Sequence, residues 1–121
     1  MKKILVVDDE ILSRKKILRF LENRPETFQV FEAANGIEAL DIIEKETPDI
    51  VLLDIEMPEM NGMDLVAAVK NPTYNLIFQT AYSEFAVEAF EKNAIDYLLK
   101  PFNEERFNQA LDKGLQGPSE A

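Results

Sequence analysis

The sequence predicts an α/β fold in which a parallel sheet carries helices on both faces. The first observation is a set of short apolar runs without alternation, which is typical of strands that are buried on both faces. The second is that amphipathic stretches, with apolar residues at helical spacing, lie between these runs. The pattern gives five repeats of strand followed by helix. Right-handed crossovers are expected to join the strands.

The apolar runs predict four strands that are buried on both faces. They cover residues 4–7, 50–53, 76–78 and 97–99. A further strand differs in pattern, because Phe28 and Val30 alternate with Gln29. This alternation predicts a half-exposed strand at an edge of the sheet.

The predicted helices each place their apolar residues on one face. The groups are Ile17, Leu18 and Leu21; Ile37, Leu40 and Ile43; Leu65, Val66 and Val69; Ala86, Ala89 and Phe90; and Phe107 and Leu111. Ser83 is predicted to cap a helix that begins at Glu84, and Asn103 one that begins at Glu104. Acidic residues in the first turn of a helix interact favourably with the positive end of the helix dipole, which supports both assignments.

Two Asn-Gly pairs, Asn35-Gly36 and Asn61-Gly62, have the composition of hairpin turns. A helical pattern, not a second strand, follows each pair. We therefore interpret both as strand-to-helix turns, which agrees with a parallel sheet.

Composition and charge limit the possible functions. The chain has 121 residues, the size of one domain, and no cysteine, which excludes disulfides, thiol catalysis and zinc-thiolate sites. It has no histidine, so any chemistry must use carboxylates, hydroxyls, amines and the backbone. A net charge of −10 repels nucleic acid phosphate, so we expect no direct DNA binding by this segment.

No stretch approaches the roughly 20 apolar residues of a membrane span, and we expect a cytoplasmic location without membrane contact.

The domain is predicted to cover residues 1–115. From Gly114 onwards the helical pattern is lost. Residues 116–121 are therefore predicted to be a tail or the start of an interdomain linker.

Polar residues end four of the predicted strands. Asp8 and Asp9 follow the first, Asp54 the third, Thr80 the fourth and Lys100 the fifth. The C-terminal ends of parallel strands meet at one edge of the sheet, where ligands of such folds bind. Taken singly, each residue also has a structural explanation as a turn, cap, strand-end hydroxyl or surface charge. Together the carboxylates are costly, since a like-charge pair at ~4 Å and an effective dielectric of ~20 repels by about 4 kcal/mol.

This cluster predicts a site for a hard divalent cation and for phosphoryl transfer. Mg²⁺ prefers oxygen ligands and keeps several waters, and a transferring phosphoryl group needs positioning and charge neutralisation. A carboxylate can act as the nucleophile, and Asp54 is central in the predicted arrangement. We predict that Asp54 accepts the phosphoryl group and that Asp8 and Asp9 hold the metal. Lys100 and the Thr80 hydroxyl are predicted to bind phosphoryl oxygens.

Four motifs resemble the receiver domains of two-component response regulators. They are Leu5-Val6-Val7-Asp8-Asp9-Glu10, Asp54-Ile55-Glu56-Met57-Pro58 with Asn61-Gly62, Thr80-Ala81, and Lys100-Pro101-Phe102. The resemblance covers essentially the whole domain. It implies a flavodoxin-like three-layer fold with a parallel sheet in the strand order 2-1-3-4-5. It also implies a signalling module, not an enzyme, that accepts a phosphoryl group from the phosphohistidine of a sensor histidine kinase.

The resemblance implies a metal site of defined composition. Asp9, Asp54 and the backbone carbonyl of Glu56 are the implied ligands of Mg²⁺ or Mn²⁺. Asp8 is implied to assist through water. No other cofactor is expected.

The resemblance further implies a conformational switch. Thr80 and Lys100 are assigned to the phosphoryl oxygens, and Tyr97 is the implied aromatic switch residue. The face formed by the fourth helix, fifth strand and fifth helix is expected to respond to phosphorylation. A cis peptide bond between Lys100 and Pro101 is also implied.

Residues 80–90 and 96–102 resemble, more specifically, receivers that precede a LytTR DNA-binding domain. That resemblance implies a C-terminal output domain outside this segment and a possible homodimer after phosphorylation. A stand-alone receiver that acts by protein–protein interaction is the alternative.

Two other classes share parts of this pattern. Haloacid-dehalogenase-type phosphatases use an Asp nucleophile, Mg²⁺ and a Lys, but place a second Asp two residues after the first. Here Glu10 stands at that spacing from Asp8, and the chain is short for a cap domain. A flavodoxin-like cofactor binder is disfavoured, because the acids after the first strand would repel FMN phosphate.

Overall fold

The computed structural model describes residues 1–116, which form one parallel sheet with helices between its strands. The elements are β1 (Lys2–Val7), α1 (Ile11–Glu22), β2 (Phe28–Ala33), α2 (Gly36–Glu46), β3 (Ile50–Asp54), α3 (Gly62–Ala68), β4 (Asn75–Thr80), α4 (Ala86–Glu91), β5 (Asp96–Leu99) and α5 (Glu104–Leu115). The sheet order β2-β1-β3-β4-β5 confirms the predicted flavodoxin-like fold. The predicted tail lies outside the described residues from residue 117 onwards. None of the helices described is long and apolar enough to cross a bilayer.

Burial of the strands follows their position in the sheet. Every residue of β3, the central strand, is buried, and β2 lies at one edge with Phe28 and Val30 half-buried, as predicted. The prediction for residues 97–99 is wrong at Leu99, which is exposed. The reason is that β5 forms the second edge of the sheet, where neighbouring residues cover less of each strand.

The core consists of two apolar layers, one on each side of the sheet. Alternating side chains of the interior strands enter opposite layers, because the strand repeat is two residues. Leu5, Val51 and Phe78 pack on the side of α2, α3 and α4. Ile4 and Ile77 pack on the side of α1 and α5. Burial on both faces explains why these strands appear in the sequence as continuous apolar runs.

Asparagine side chains cap three of the five helices. Asn35, Asn61 and Asn103 each accept a backbone N–H bond, at 2.8, 2.9 and 2.8 Å, from the residue three positions later. The predicted Ser83 cap is wrong, because α4 begins at Ala86 after Phe85 and has no side-chain cap. Ser83 instead uses its backbone carbonyl, which accepts from the N–H of Ala86 at 3.3 Å in the preceding turn.

Gly62 starts α3 in direct contact with the end of β3. A Cβ atom at this position would lie 2.5 Å from the backbone oxygen of Asp54. The Gly62 N–H donates to the carbonyl of Ile55 at 2.8 Å. Glycine is required here because the helix approaches the strand too closely for any side chain.

Candidate functional site

The C-terminal ends of the central strands place the predicted site residues together. β1 and β3 are paired in register up to their last common residues, so Asp8 and Asp54 emerge side by side. Asp8 is fully buried and Asp54 is 5% exposed, whereas Asp9 is exposed. We call Asp8, Asp9, Asp54 and Lys100 the acidic rim.

The carboxylates of the acidic rim are close enough to share a cation. One oxygen from each of Asp8, Asp9 and Asp54 lies within 4.8 Å of the others. Two backbone N–H groups orient this cluster: Glu10 donates to Asp8 Oδ1 at 2.9 Å and Glu56 donates to Asp54 Oδ1 at 3.3 Å. The donor set contains only hard oxygen atoms, which fits Mg²⁺ or Mn²⁺.

Lys100 supplies the positive charge of the rim. Its Nζ donates to Asp8 Oδ2 at 2.7 Å and to Asp54 Oδ2 at 3.2 Å. The backbone N–H of Lys100 donates to the carbonyl of Thr80 at 2.7 Å, which continues the pairing of β4 and β5 beyond Leu99. The side chain is therefore fixed at its base by the sheet and at its tip by two carboxylates. The implied cis peptide bond between Lys100 and Pro101 is present.

The electrostatics of the rim leave the central carboxylate in an unfavourable environment. Burial raises the pKa of Asp54 to about 6; attraction by Lys100 opposes this rise and repulsion by Asp8 adds to it. For Lys100, burial disfavours the charged form, but its bonds and attraction to Asp8 and Asp54 outweigh burial and raise its pKa. One ammonium group therefore does not fully offset the carboxylates that surround it.

An open cleft of about 220 Å³ gives solvent access to the rim. It is lined by Asp9, Glu10, Asp54, Glu56, Ala81, Tyr82 and Lys100. The cleft therefore joins the acidic carboxylates and the ammonium in one accessible space. Glu56, whose backbone carbonyl the family resemblance implied as a metal ligand, also lines the cleft.

Thr80 and Tyr97 both form hydrogen bonds with Tyr82, in the loop between β4 and α4. Thr80 is fully buried, and its Oγ accepts from the backbone N–H of Tyr82 at 3.3 Å. The Tyr97 hydroxyl donates to the backbone carbonyl of the same Tyr82. The Tyr97 ring packs 6.4 Å from that of Phe78. Both predicted switch residues thus bond to opposite sides of one residue in the β4–α4 loop.

Three residues beside the rim were not predicted from the sequence. Arg14 donates to the backbone carbonyl of Asp8 at 2.6 Å. Ser13 Oγ lies 3.5 Å from Lys100 Nζ, and Gln79 is buried and lines the same cavity as Lys100. The signal for Ser13 and Arg14 is their position in the first turn after the Asp-Asp pair. For Gln79 the signal is a large polar residue directly after the apolar residues 76–78 of a buried strand.

Comparison with known proteins identifies relatives over nearly the whole chain. Residues 4–112 match the family model described as response regulator receiver domain. The chain is 44% identical over 116 residues to the sensory transduction protein LytT of Bacillus anthracis, covering 93% of this chain and 47% of that protein. It is 39% identical over 111 residues to the transcriptional regulatory protein BtsR of Escherichia coli, covering 90% and 46%. The chain thus spans about half the length of these curated relatives, whose names agree with the resemblance to LytTR-type regulators.

Solved structures agree with this result. The response regulator protein TrrA of Thermotoga maritima, crystallised in complex with Mg²⁺-BeF, superimposes with a TM-score of 0.83 at 34% identity. The match covers 94% of this chain and 99% of that one. The fold and the sequence relationships therefore agree.

Proposed function

This chain belongs to the response regulator receiver domain family, and from that premise we propose that Asp54 accepts a phosphoryl group from the phosphohistidine of a histidine kinase. The observation that carries the proposal is the Asp54 carboxylate. It is buried at the end of the central strand, 3.2 Å from the Lys100 ammonium, and it opens into the cleft. Its raised pKa reflects a charge that the fold itself does not neutralise.

In the proposed reaction, an Asp54 carboxylate oxygen attacks the phosphorus atom. A P–O bond forms as the P–N bond to imidazole breaks, and the leaving imidazole nitrogen keeps the electron pair and takes a proton from solvent water. The product is an aspartyl phosphate. Lys100 turns from the two carboxylates to a phosphoryl oxygen, which it reaches from its present position on the cleft wall. The Thr80 hydroxyl stops accepting the bond from the Tyr82 N–H and instead donates to another phosphoryl oxygen.

The rim residues fit a bound Mg²⁺ or Mn²⁺ as cofactor. Bound metal supplies positive charge that neutralises the phosphoryl oxygens. We propose that Asp9, Asp54 and the backbone carbonyl of Glu56 hold the metal, with Asp8 assisting through water. Support comes from the clustering of the three carboxylates and from the complex reported for TrrA.

We propose that phosphorylation changes the face formed by α4, β5 and α5. Thr80 and Tyr97 both bond to Tyr82, so a Thr80 hydroxyl that turns to the phosphoryl group alters the anchor of the Tyr97 ring. A ligand shifts such an equilibrium only by its different affinity for the two states. The new charge-assisted bonds from Thr80 and Lys100 provide that difference.

The responding face is exposed and apolar in places. Val87 and Phe90 on α4 and Leu99 on β5 are exposed. We propose that this face binds a second copy or an output domain, which would be of LytTR type and would lie outside this segment. The acidic surface of the segment itself disfavours DNA. A receiver that acts alone through protein contacts is the alternative.

The phosphoryl acceptor is tested with acetyl phosphate and Mg²⁺, followed by intact mass. The wild type should gain the mass of one phosphoryl group and Asp54→Ala should gain none. Asp96→Asn is the matched control, because Asp96 is as buried as Asp54 but lies at the opposite end of the sheet; it should be phosphorylated. Phosphorylation of Asp54→Ala would refute the assignment. Repeated turnover of p-nitrophenyl phosphate would favour a phosphatase over a signalling domain.

The switch is tested with beryllofluoride, which mimics a phosphoryl group on aspartate. Amide chemical shifts should change along residues 84–110 as well as at the rim. Tyr97→Phe should reduce the distant changes, because it loses the bond to Tyr82. Changes that stay at the rim would leave a phosphate acceptor without a surface response.

A further inference from the structure

A small cavity lies behind Lys100, between α1 and the β5–α5 loop. Its volume is about 150 Å³, and it is lined by Ser13, Lys16, Gln79, Lys100, Pro101 and Phe102. Lys100 also lines the cleft at the acidic rim. Its side chain therefore borders both spaces, and a group in the cavity can act on the reaction site through Lys100.

Gln79 presents an unpartnered hydrogen-bond acceptor to this part of the core. The residue is fully buried, and its Nε2 donates to the carbonyl of Val7 at 3.5 Å. Its Oε1 has no partner; among the described residues only the Tyr74 hydroxyl is another buried side-chain atom in this condition. Buried polar atoms are nearly always hydrogen-bonded. The Gln79 oxygen therefore requires a donor, and the cavity that Gln79 lines is where a donor fits.

Lys100 has a weakly satisfied donor beside the same cavity. An ammonium group carries three N–H donors. Two point to Asp8 and Asp54, and the third has Ser13 Oγ at 3.5 Å, which is the outer limit of a hydrogen bond. The Ser13 hydroxyl is also engaged, since it donates to Glu10 Oε1 at 3.2 Å. A donor without a good acceptor and an acceptor without a donor thus line one cavity.

We propose that Gln79 is a positioning residue for phosphoryl transfer, and that it fixes the Lys100 ammonium through a bridging water in this cavity. Ser13, Gln79 and Lys100 bring polar atoms to the cavity wall. The cavity also exceeds the minimum size for a water, which needs two to four polar partners. The water accepts from Lys100 Nζ and donates to Gln79 Oε1. Its second hydrogen bonds to Ser13 Oγ, and all three groups line the cavity.

The bridge matters when Lys100 changes partners. As the ammonium turns from the carboxylates to a phosphoryl oxygen, the water keeps one N–H bonded on the opposite side. The ammonium then moves over a short path and stays at the rim. This role rests on the proposed phosphoryl transfer and adds to it a residue that contacts neither metal nor phosphoryl group.

The experiment compares Gln79→Met with Tyr74→Phe. Gln79→Met keeps the length and volume of the side chain but removes both polar atoms. Tyr74→Phe removes the other unpartnered buried atom, in a groove lined by α2 and the α3–β4 loop. With acetyl phosphate and saturating Mg²⁺, Gln79→Met should be phosphorylated about five-fold more slowly, the typical effect of one lost hydrogen bond. Tyr74→Phe should react at the wild-type rate.

Two further measurements separate positioning from a general structural role. The Mg²⁺ affinity of Gln79→Met should equal that of the wild type, because the rim carboxylates are unchanged. An equal loss of affinity and rate would mean that Gln79 acts through Val7 and the end of β1, and would overturn the proposal. Nuclear Overhauser contacts between a long-lived water and the Gln79 side-chain amide protons should appear in the wild type.

The remaining outcomes are also decisive. The water contact is measured in the wild type, so it tests the proposal even if the variant does not fold, and its absence overturns the bridge. An unchanged phosphorylation rate in folded Gln79→Met overturns the positioning role alone. A wild type that takes no phosphoryl group from acetyl phosphate refutes the proposed function and, with it, this inference.

Discussion

Asp54 and Asp96 are equally buried, each with 5% exposure, yet their surroundings differ. Asp96 lies at the start of β5, where Arg106 binds both of its oxygens at 2.8 and 2.9 Å and Lys113 adds a bond at 3.1 Å. Asp54 lies at the other end of the sheet and shares the single ammonium of Lys100 with Asp8. Asp96 is thus paired with two cationic side chains, whereas Asp54 shares one cationic side chain with a second carboxylate.

The pKa values of the two carboxyl groups therefore shift in opposite directions. Burial alone would raise the pKa of Asp96, but the hydrogen bonds from Arg106, the Tyr97 N–H and Lys113 outweigh it and lower the value. Burial dominates at Asp54 and raises its pKa to about 6. The contacts of Asp96 therefore stabilise its charge in the folded state, whereas the charge of Asp54 is only partly compensated, as expected for the proposed metal and phosphoryl site.

The largest expected effect is the loss of the satisfied carboxylate. Asp96→Asn should lower the free energy of unfolding by about 2 kcal/mol, because it removes charged hydrogen bonds to Arg106 and Lys113. Urea unfolding at pH 7 measures the change. Asp41→Asn, at an exposed partner of Lys45, is the control and should change the free energy of unfolding by less than about 0.5 kcal/mol. Equal stability of Asp96→Asn and wild type would remove the distinction between the two sites.

A smaller effect of opposite sign is expected at the unsatisfied carboxylate. Asp54→Asn in EDTA at pH 7.5 should raise the free energy of unfolding by about 1 kcal/mol, since it removes a buried charge that Asp8 repels. The same urea titration measures it. Added Mg²⁺ should stabilise the wild type by mass action and have much less effect on Asp54→Asn. Destabilisation of Asp54→Asn in EDTA would mean that its bond to Lys100 outweighs burial.

The smallest expected effect is the pH dependence of the stability differences that Asp54→Asn and Asp96→Asn show relative to wild type. The raised pKa of Asp54 means that its cost is fully present above about pH 6 and absent below about pH 3.8, where both states are protonated. In EDTA, the excess stability of Asp54→Asn over wild type should therefore shrink steadily as the pH falls through that window.

Asp96 should respond in a lower pH window. Its folded-state pKa is lowered, so its stabilising contribution is present above about pH 3.8 and is lost as pH falls through the folded value. The deficit of Asp96→Asn relative to wild type should therefore persist to pH 4 and close below it. Urea unfolding from pH 3 to 8 checks both windows, and a shared window would contradict the opposite shifts.

Sequence alone predicts the rim better than it predicts Asp96. Asp8, Asp54 and Lys100 each follow an apolar strand, and parallel strands end at a common edge, so their proximity follows from topology. The ion pairs of Asp96 depend on where α5 packs, because Arg106 and Lys113 are ten and seventeen residues away. The pattern of strand and helix does not specify that side-chain contact.

The two wrong predictions, at Leu99 and Ser83, also arise because tertiary contacts are not specified by the local sequence pattern. Leu99 lies in an apolar run but is exposed, because sheet order decides which strand forms an edge. The hydroxyl of Ser83 has the chemistry of a cap, but the loop after β4 uses residues 81–85 before α4 begins. Local composition thus identifies element type, whereas burial and exact helix starts depend on tertiary contacts.

The contact between Gly62 and the Asp54 backbone has a consequence for genetics. In a saturation-mutagenesis screen scored by signalling output, alleles at Gly62 should group with alleles at Asp54, since any added Cβ displaces the peptide that carries the proposed acceptor. A residue with no side chain will then map as part of the reaction centre. Scoring protein abundance in parallel will separate alleles that distort this peptide from alleles that prevent folding.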